Sequence, residues 1–217
     1  MQVITFRYRL TFCKEEQIRF TSHLDIHRAW ERTFRRAMLP LAYKQGFNPR
    51  PRITIGSALP LGFTSSAELM DFWLEEDTDL KTIAKALNQA QAPGLPIREV
   101  MRITNKEPAL QTQVQTAAYL IRLDEPPALG EIQAAVEALM AASSLPREWR
   151  GKTYDLRALI ETLQVKQDNA EIGLEMTLSA GEGKTGRPTE VLLAIDIDPT
   201  FAHIQRTNLA LDHPKAT

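Results

Sequence analysis

The 217 residues suffice for one large domain or two small ones, and 43% hydrophobic content supports packed cores rather than disorder. No apolar run approaches the roughly 18 residues of a membrane span, and the start, "MQVITFRYRLTF", lacks the layout of a secretion signal, so the expected compartment is the cytoplasm, with no membrane partner. The net charge of −1 hides an asymmetry: residues 1–60 hold eleven Lys or Arg against four acids, a surplus of seven, and the remainder carries −8. Nucleic-acid binding follows such a local patch rather than the whole-chain charge. Cys13 is the sole cysteine, which excludes disulfide frameworks, thiolate zinc sites and iron–sulfur clusters built within this chain.

In chain order, "VITFRYRLTFC" alternates with period two and predicts a strand over Val3 to Cys13. Ser22 followed by Asp25 resembles a capping box, and Pro40 is a stop, so a helix is predicted from about Ser22 to Met38. Arg52 to Ala58 and Ser65 to Glu76 read as strands joined by the "LPLGF" turn; Asp79 to Ala90 reads as an amphipathic helix and Leu95 to Thr104 as a strand. The polar stretch Asn105 to Gln113 has no periodicity and reads as a linker. The order then repeats: strand at Ala117 to Leu123, helix at Pro127 to Ala142, a strand pair at 155–167 and 170–180, a helix at 187–196 with Pro188 in its first turn, and a closing strand at 201–211. The first member of that pair also reads as a helical turn leading into a short strand. The expectation is an α+β protein of two tandem ferredoxin-like (βαββαβ) domains, 1–106 and 114–217. That fold hosts many activities and by itself assigns none.

Function must come from side chains. The predicted Ser22–Met38 helix has an apolar side of Leu24, Trp30, Phe34 and Ala37, with Ile26 nearby, and another side with Arg28, Arg32, Arg35 and Arg36. These four arginines fit either a solvated face or an anion-binding one; the guanidinium fork suits phosphate and carboxylate. In "KQGFNPRPR", Gly46 permits a positive φ, while Pro49 and Pro51 stiffen the chain and push Asn48 and Arg50 toward extended geometry. Gly46, Phe47, Asn48, Pro49 and Pro51 are therefore read as shaping a loop that projects Arg50 and Arg52 to one side. A proline-stiffened surface loop without a partner is the alternative. Phe47, Phe20, Tyr8 and Tyr43 lie beside these cations, an interleaving that suits single-stranded RNA, although strand alternation predicts that Tyr8 is buried.

His23 and His27 stand four apart on the predicted helix, the spacing of a helical metal pair, but no glutamate base separates them and His203 and His213 are far off in sequence, so no metal is assigned. His23, beside Arg19, is a candidate general acid or base, or a hydrogen-bonded brace. "GEGKTGRP" precedes a helix but departs from the phosphate-loop pattern because Lys184 is misplaced; it is read as a hairpin-like loop.

Several strings together resemble the bacterial radical SAM-associated family of domain of unknown function 2344 (DUF2344). They are Arg19-Phe20, Ser22-His23-Leu24-Asp25, Arg28, Arg35-Arg36, Gly46 to Pro51, Pro60-Leu61-Gly62, Ser66, Glu68 and Asp71, with weaker likeness to the end of the chain. The resemblance implies a partner more than a reaction: a radical SAM protein, which would carry the iron–sulfur cluster and S-adenosylmethionine, with no cofactor in this chain. It implies an accessory or substrate-presenting role, with RNA or a ribosomal component as substrate and no DNA. The anion-binding set is then Arg19, Arg28, Arg32, Arg35, Arg36, Arg50 and Arg52. Tandem ferredoxin-like domains are also similar to CRISPR repeat-processing endoribonucleases, which implies a metal-independent ribonuclease using His23 as the alternative; a protein–protein adaptor is a third.

Overall fold

The computed structural model describes residues 4–149, 151–168 and 171–212; Val3 and His213, named above, lie outside them. The protein is mixed α+β, with mostly antiparallel sheet and covering helices. It divides into two compact units, Met1–Gln113 and Val114–Thr217. Counted over these spans, the first carries a net +4 and the second −5.

In unit 1 the alternation of "FRYRLTFCK" produces β1 (Phe6–Lys14), followed by a 3-10 turn at Glu16–Ile18. Then come α1 (His23–Arg36), β2 (Ile53–Ile55), β3 (Thr64–Leu74), α2 (Leu80–Ala90), β4 (Ile97–Ile103) and the single turn α3 (Leu110–Gln113). The sheet order is β2-β3-β1-β4, antiparallel throughout, with Arg9 opposite Asp71 and Tyr8 opposite Phe72. Tyr8, Leu10 and Phe12 share the core with Ile26, Trp30 and Phe34 of α1 and with Ile83 and Leu87 of α2. Ring contacts run from Phe12 to Trp30 (4.9 Å) and from Phe34 to Phe72 (4.8 Å), the edge-on and tilted geometries aromatic quadrupoles favour.

Helix α1 begins where Ser22 Oγ accepts the Asp25 amide (3.2 Å) and donates to the Asp25 carboxylate (2.7 Å). It ends before Pro40, because Met38 takes a left-handed φ of +54°. Leu24 was expected on the apolar side and is 67% exposed instead. The buried stripe runs through Ile26, Trp30, Thr33 and Phe34, and a 3.6-residue period places Leu24 with Arg28 on the opposite side.

Two further expectations change. The strand predicted from Arg52 to Ala58 contracts to Ile53–Ile55. Gly56 leaves it packed so tightly on Leu110 that a Cβ would lie 3.2 Å from that side chain. The stretch read as a linker is fastened to unit 1: Arg7 donates to the carbonyls of Glu107 and Pro108 (both 2.7 Å), and Leu110 and Gln113 are buried.

Unit 2 contains β5 (Val114–Leu123), α4 (Leu129–Ala141), β6 (Pro146–Trp149), β7 (Lys152–Asp155), β8 (Ile160–Asp168), β9 (Glu171–Gly181), β10 (Lys184–Thr185), α5 (Pro188–Ala194) and β11 (Ala202–Leu211). β5 pairs with β9 and β11, while β9 also pairs with β8 and β10. Gly173 lets β5 and β9 approach, since a Cβ there would meet the Ile121 carbonyl oxygen at 2.3 Å. The β6–β7 hairpin has no counterpart among the predicted elements. It is anchored by Asp155, whose carboxylate accepts the amides of Leu145 (2.7 Å) and Arg157 (3.0 Å). "GEGKTGRP" forms the β9–β10 hairpin, turned at Gly183 with φ +72°. Among the described residues no helix is long and apolar enough to cross a membrane.

Candidate nucleic-acid interface

The seven arginines proposed for anion binding separate into two groups. Arg28, Arg32 and Arg35 stand exposed on α1, spaced by four and three residues so that they share one side with Leu24. Arg28 pairs with Asp25 at 3.1 Å, across an exposed surface. The Ser22 hydroxyl, then Arg28, holds the Asp25 carboxyl below the usual carboxylate range. Arg32 and Arg35 form no ion pair among the described residues.

Arg36 does different work: it donates to the Ala90 carbonyl (2.5 Å) and to Thr33 Oγ1 (3.3 Å), tying α1 to the C-terminus of α2. Arg19 pairs with Glu16 and lies 4.7 Å over the Phe20 ring. Both are engaged with their own fold, so the helix contributes three outward arginines.

The "KQGFNPRPR" stretch closes as a hairpin. The Lys44 amide donates to the Arg50 carbonyl (2.8 Å), the Arg52 amide to the Ala42 carbonyl (2.8 Å), and Tyr43 bridges Pro51. Gly46 at the tip has φ +153°, a value side-chain-bearing residues rarely adopt. Phe47 was read as shaping this loop by its presence, yet its relative exposure is 103%, so it packs against nothing that would set the loop's form. The shaping falls to Gly46, the ladder bonds and the prolines, with Asn48 exposed beside Phe47.

Arg50 and Arg52, expected on one side together, differ in exposure. Arg50 is exposed, whereas Arg52 is half-buried with its guanidinium 4.3 Å over Trp73 and a hydrogen bond to Thr5 Oγ1 (3.3 Å). Burial, then the charge of Arg7, pushes the Arg52 pKa down. The cause is a tertiary contact: the Trp73 amide bonds the Arg52 carbonyl (3.2 Å), which draws Arg52 onto the sheet.

Beneath Arg52 lies a charge cluster that sequence reasoning did not single out. Asp71, fully buried, accepts from Arg7 Nη2 (2.5 Å) and Arg9 Nε (2.7 Å), and Arg7 also lies 5.2 Å from the Trp73 ring. The signal was present: alternation puts Arg7 and Arg9 on one face of β1, and Asp71 interrupts the apolar run "LMDFWL". Two guanidiniums on one carboxylate satisfy its lone pairs and leave an excess positive charge under the Trp73 ring.

His23 is half-buried and lines a cavity of about 20 Å³ with Phe12, Lys14, Thr21 and Glu68. Lys14 and Glu68 are buried, and Lys14 donates to the Arg19 carbonyl (2.6 Å). Such a volume suits roughly one water, not a ribose phosphate. His27 faces Glu31 (3.3 Å). Among the described residues no group of three or more His, Cys, Asp or Glu could hold a metal ion. Of the candidate stacking rings, Tyr8 is buried and bonded to the Thr78 carbonyl (2.9 Å), whereas Phe20 and Tyr43 are exposed with Phe47.

Residues 7–188 match the family described as "Uncharacterized protein conserved in bacteria (DUF2344)". The chain belongs to this family. No curated protein matches this DUF2344 chain. Among solved structures, one similar chain comes from a Cbf5-Nop10-Gar1 complex, with 11% identity over 93% of this chain and 48% of that one and a TM-score of 0.47. The DUF2344 protein thus spans about half the length of that chain. The small subunit of acetolactate synthase from Thermotoga maritima has 14% identity, coverage of 99% and 100%, and a TM-score of 0.28. A putative glycine cleavage system transcriptional repressor has 10% identity, coverage of 96% and 99%, and a TM-score of 0.28. Likenesses this distant carry no weight for function.

Proposed function

We propose that this DUF2344 protein is a cytoplasmic RNA-binding accessory chain that presents RNA, or a ribosomal component, to a radical SAM protein. The observation that carries the RNA contact is the outward row Arg28, Arg32 and Arg35 on α1, in a unit of net +4 whose hairpin adds exposed Lys44 and Arg50. Arginine forks on a rigid helix meet phosphates with little ordering cost. The radical SAM partner follows from the sequence resemblance, and any cluster and S-adenosylmethionine would sit on that partner, since one buried cysteine here provides no cluster ligand set. Each unit is taken as a ferredoxin-like variant; the strand–helix–strand–strand–helix–strand succession of unit 1 and its β2-β3-β1-β4 order support that assignment.

The test is RNA binding followed from about 50 to about 200 mM salt, where each lost phosphate contact flattens the log–log slope by roughly one unit. Replacing Arg28, Arg32 and Arg35 by alanine flattens the slope by roughly three units if all three meet phosphate. An unchanged slope removes the helix from the interface. Binding to the radical SAM chain alone, with none to RNA, would establish the adaptor reading instead.

The ribonuclease reading is the alternative, in which half-buried His23 would act from the rim of the small pocket that it shares with Lys14 and Glu68. Purified protein incubated with RNA and EDTA is expected to leave it intact, as is His23→Ala; clean cutting by the wild type alone would reverse this.

A further inference from the structure

A single exposed apolar side chain needs no explanation, but the setting of Phe47 does. Its ring is wholly solvent-exposed at the tip of a hairpin closed by the Lys44–Arg50 and Arg52–Ala42 backbone bonds, with Pro49 and Pro51 limiting its freedom. The backbone bond between Lys44 and Arg50 sets these two residues opposite each other, so one exposed cation stands on each arm below the ring. Neither forms an ion pair among the described residues. From Tyr43 to Arg52 the chain has no acid, and Tyr43 at the foot of the hairpin is 51% exposed.

A partner that meets both the ring and the two arms must offer an apolar flat face and negative charge beside it. An apolar protein pocket offers the first and leaves Lys44 and Arg50 unanswered. A nucleotide offers both, a base with a π-face on a phosphate chain. In a duplex the base faces are spent on stacking with their neighbours, so only an unpaired base has one free.

We propose that Phe47 is a stacking residue for an unpaired base, with Lys44 and Arg50 on the flanking phosphates, so that the RNA bound by unit 1 is single-stranded or looped at this point. This rests on the RNA reading above and names the class of RNA.

The experiment uses the full chain and one RNA sequence, as a single strand and as a duplex, with a 2-aminopurine in the single strand. Phe47→Ala lowers single-strand affinity roughly tenfold to a hundredfold, the range for one base–aromatic stack, and leaves the salt slope and duplex affinity unchanged. Phe47→Trp retains binding, and wild type but not Phe47→Ala quenches the 2-aminopurine. Arg50→Ala, in contrast, flattens the salt slope by roughly one unit. Unchanged single-strand affinity in Phe47→Ala, or equal weakening toward duplex, overturns the stacking role while leaving the RNA reading in place. Loss of binding to a protein partner with RNA affinity kept also overturns it. Absence of RNA binding by the wild type overturns both.

Discussion

Both units open with a strand and a helix, but two strands lie between α1 and α2 whereas five lie between α4 and α5, and the charges of the units are opposite. Unit 1 is cationic and buries charge: Asp71 holds Arg7 and Arg9 on its sheet, and Lys14 and Glu68 are enclosed at the start of α1. Unit 2 has a net −5, and beside Ile121, Leu163, Leu174, Met176 and Leu178 it buries a single arginine, Arg206, among its described sheet residues. Unit 1 also places an exposed ring, and two cations with no ion pair among the described residues, on the hairpin between α1 and β2. The hairpin in a similar position in the order of unit 2, β6–β7, is tied back through Asp155. The difference lies in what fastens each hairpin at its foot: the Ala42–Trp73 and Trp73–Arg52 backbone bonds in unit 1, and the Asp155 carboxylate in unit 2.

The largest effect should come from Asp71→Ala, which leaves two buried guanidiniums without their carboxylate and costs about 3–5 kcal/mol. Denaturant unfolding checks this, and a change near zero would mean that unit 1 does not depend on its charge cluster. Next is Gly173→Ala in unit 2, where the added methyl meets backbone at 2.3 Å. Overpacking there should cost about 1–3 kcal/mol, again read by denaturant. If Gly173→Ala proves harmless while Asp71→Ala is severe, the sheet of unit 2 is the more yielding of the two.

Arg50 and Arg52 sharpen the contrast between surface and sheet. Arg52→Ala should lower stability by about 1 kcal/mol through loss of its place over Trp73, with little change in salt slope. Arg50→Ala should leave thermal stability unchanged and alter only RNA binding. The reverse pattern would exchange their roles.

The smallest effect concerns acid. Asp77, through Arg102, and Asp155, chiefly through the Leu145 amide, are held below the ordinary carboxylate range. Their folded forms bind protons less readily than the unfolded chain does. The stability they contribute is present above the unfolded carboxylate pKa and is lost as pH falls through the folded one. Asp77→Asn and Asp155→Asn should each reduce the slope of stability against pH in the acid range, measured by thermal unfolding. An unaltered slope in either would show that its carboxylate is not held low in that unit.

Much of this was legible along the chain. Period-two alternation located β1, and Ser22 with Asp25 marked the start of α1, because these signals depend on neighbours a few residues apart. The β6–β7 hairpin was not, since residues 143–155 mix Ser, Pro, Arg and Gly without an alternating run, and its anchor is the Asp155 side chain. The outward arginines of α1 were legible from helical spacing. The division of labour among the seven was not, because nothing local tells Arg36 that the Ala90 carbonyl lies within reach.

The sequence by itself determined the order of strands and helices from β1 to β4, the concentration of cations in residues 1–60 and the stiff Gly- and Pro-rich loop, all properties of composition and short spacing. Tertiary structure alone decided that Arg7 and Arg9 meet Asp71, that Arg52 rests on Trp73, and that Phe47 is left in solvent. Those outcomes depend on which strands lie side by side. Whether an arginine is a tool for a partner or a brace for its own sheet is set by the carboxylate or ring that pairing brings within about 5 Å of it.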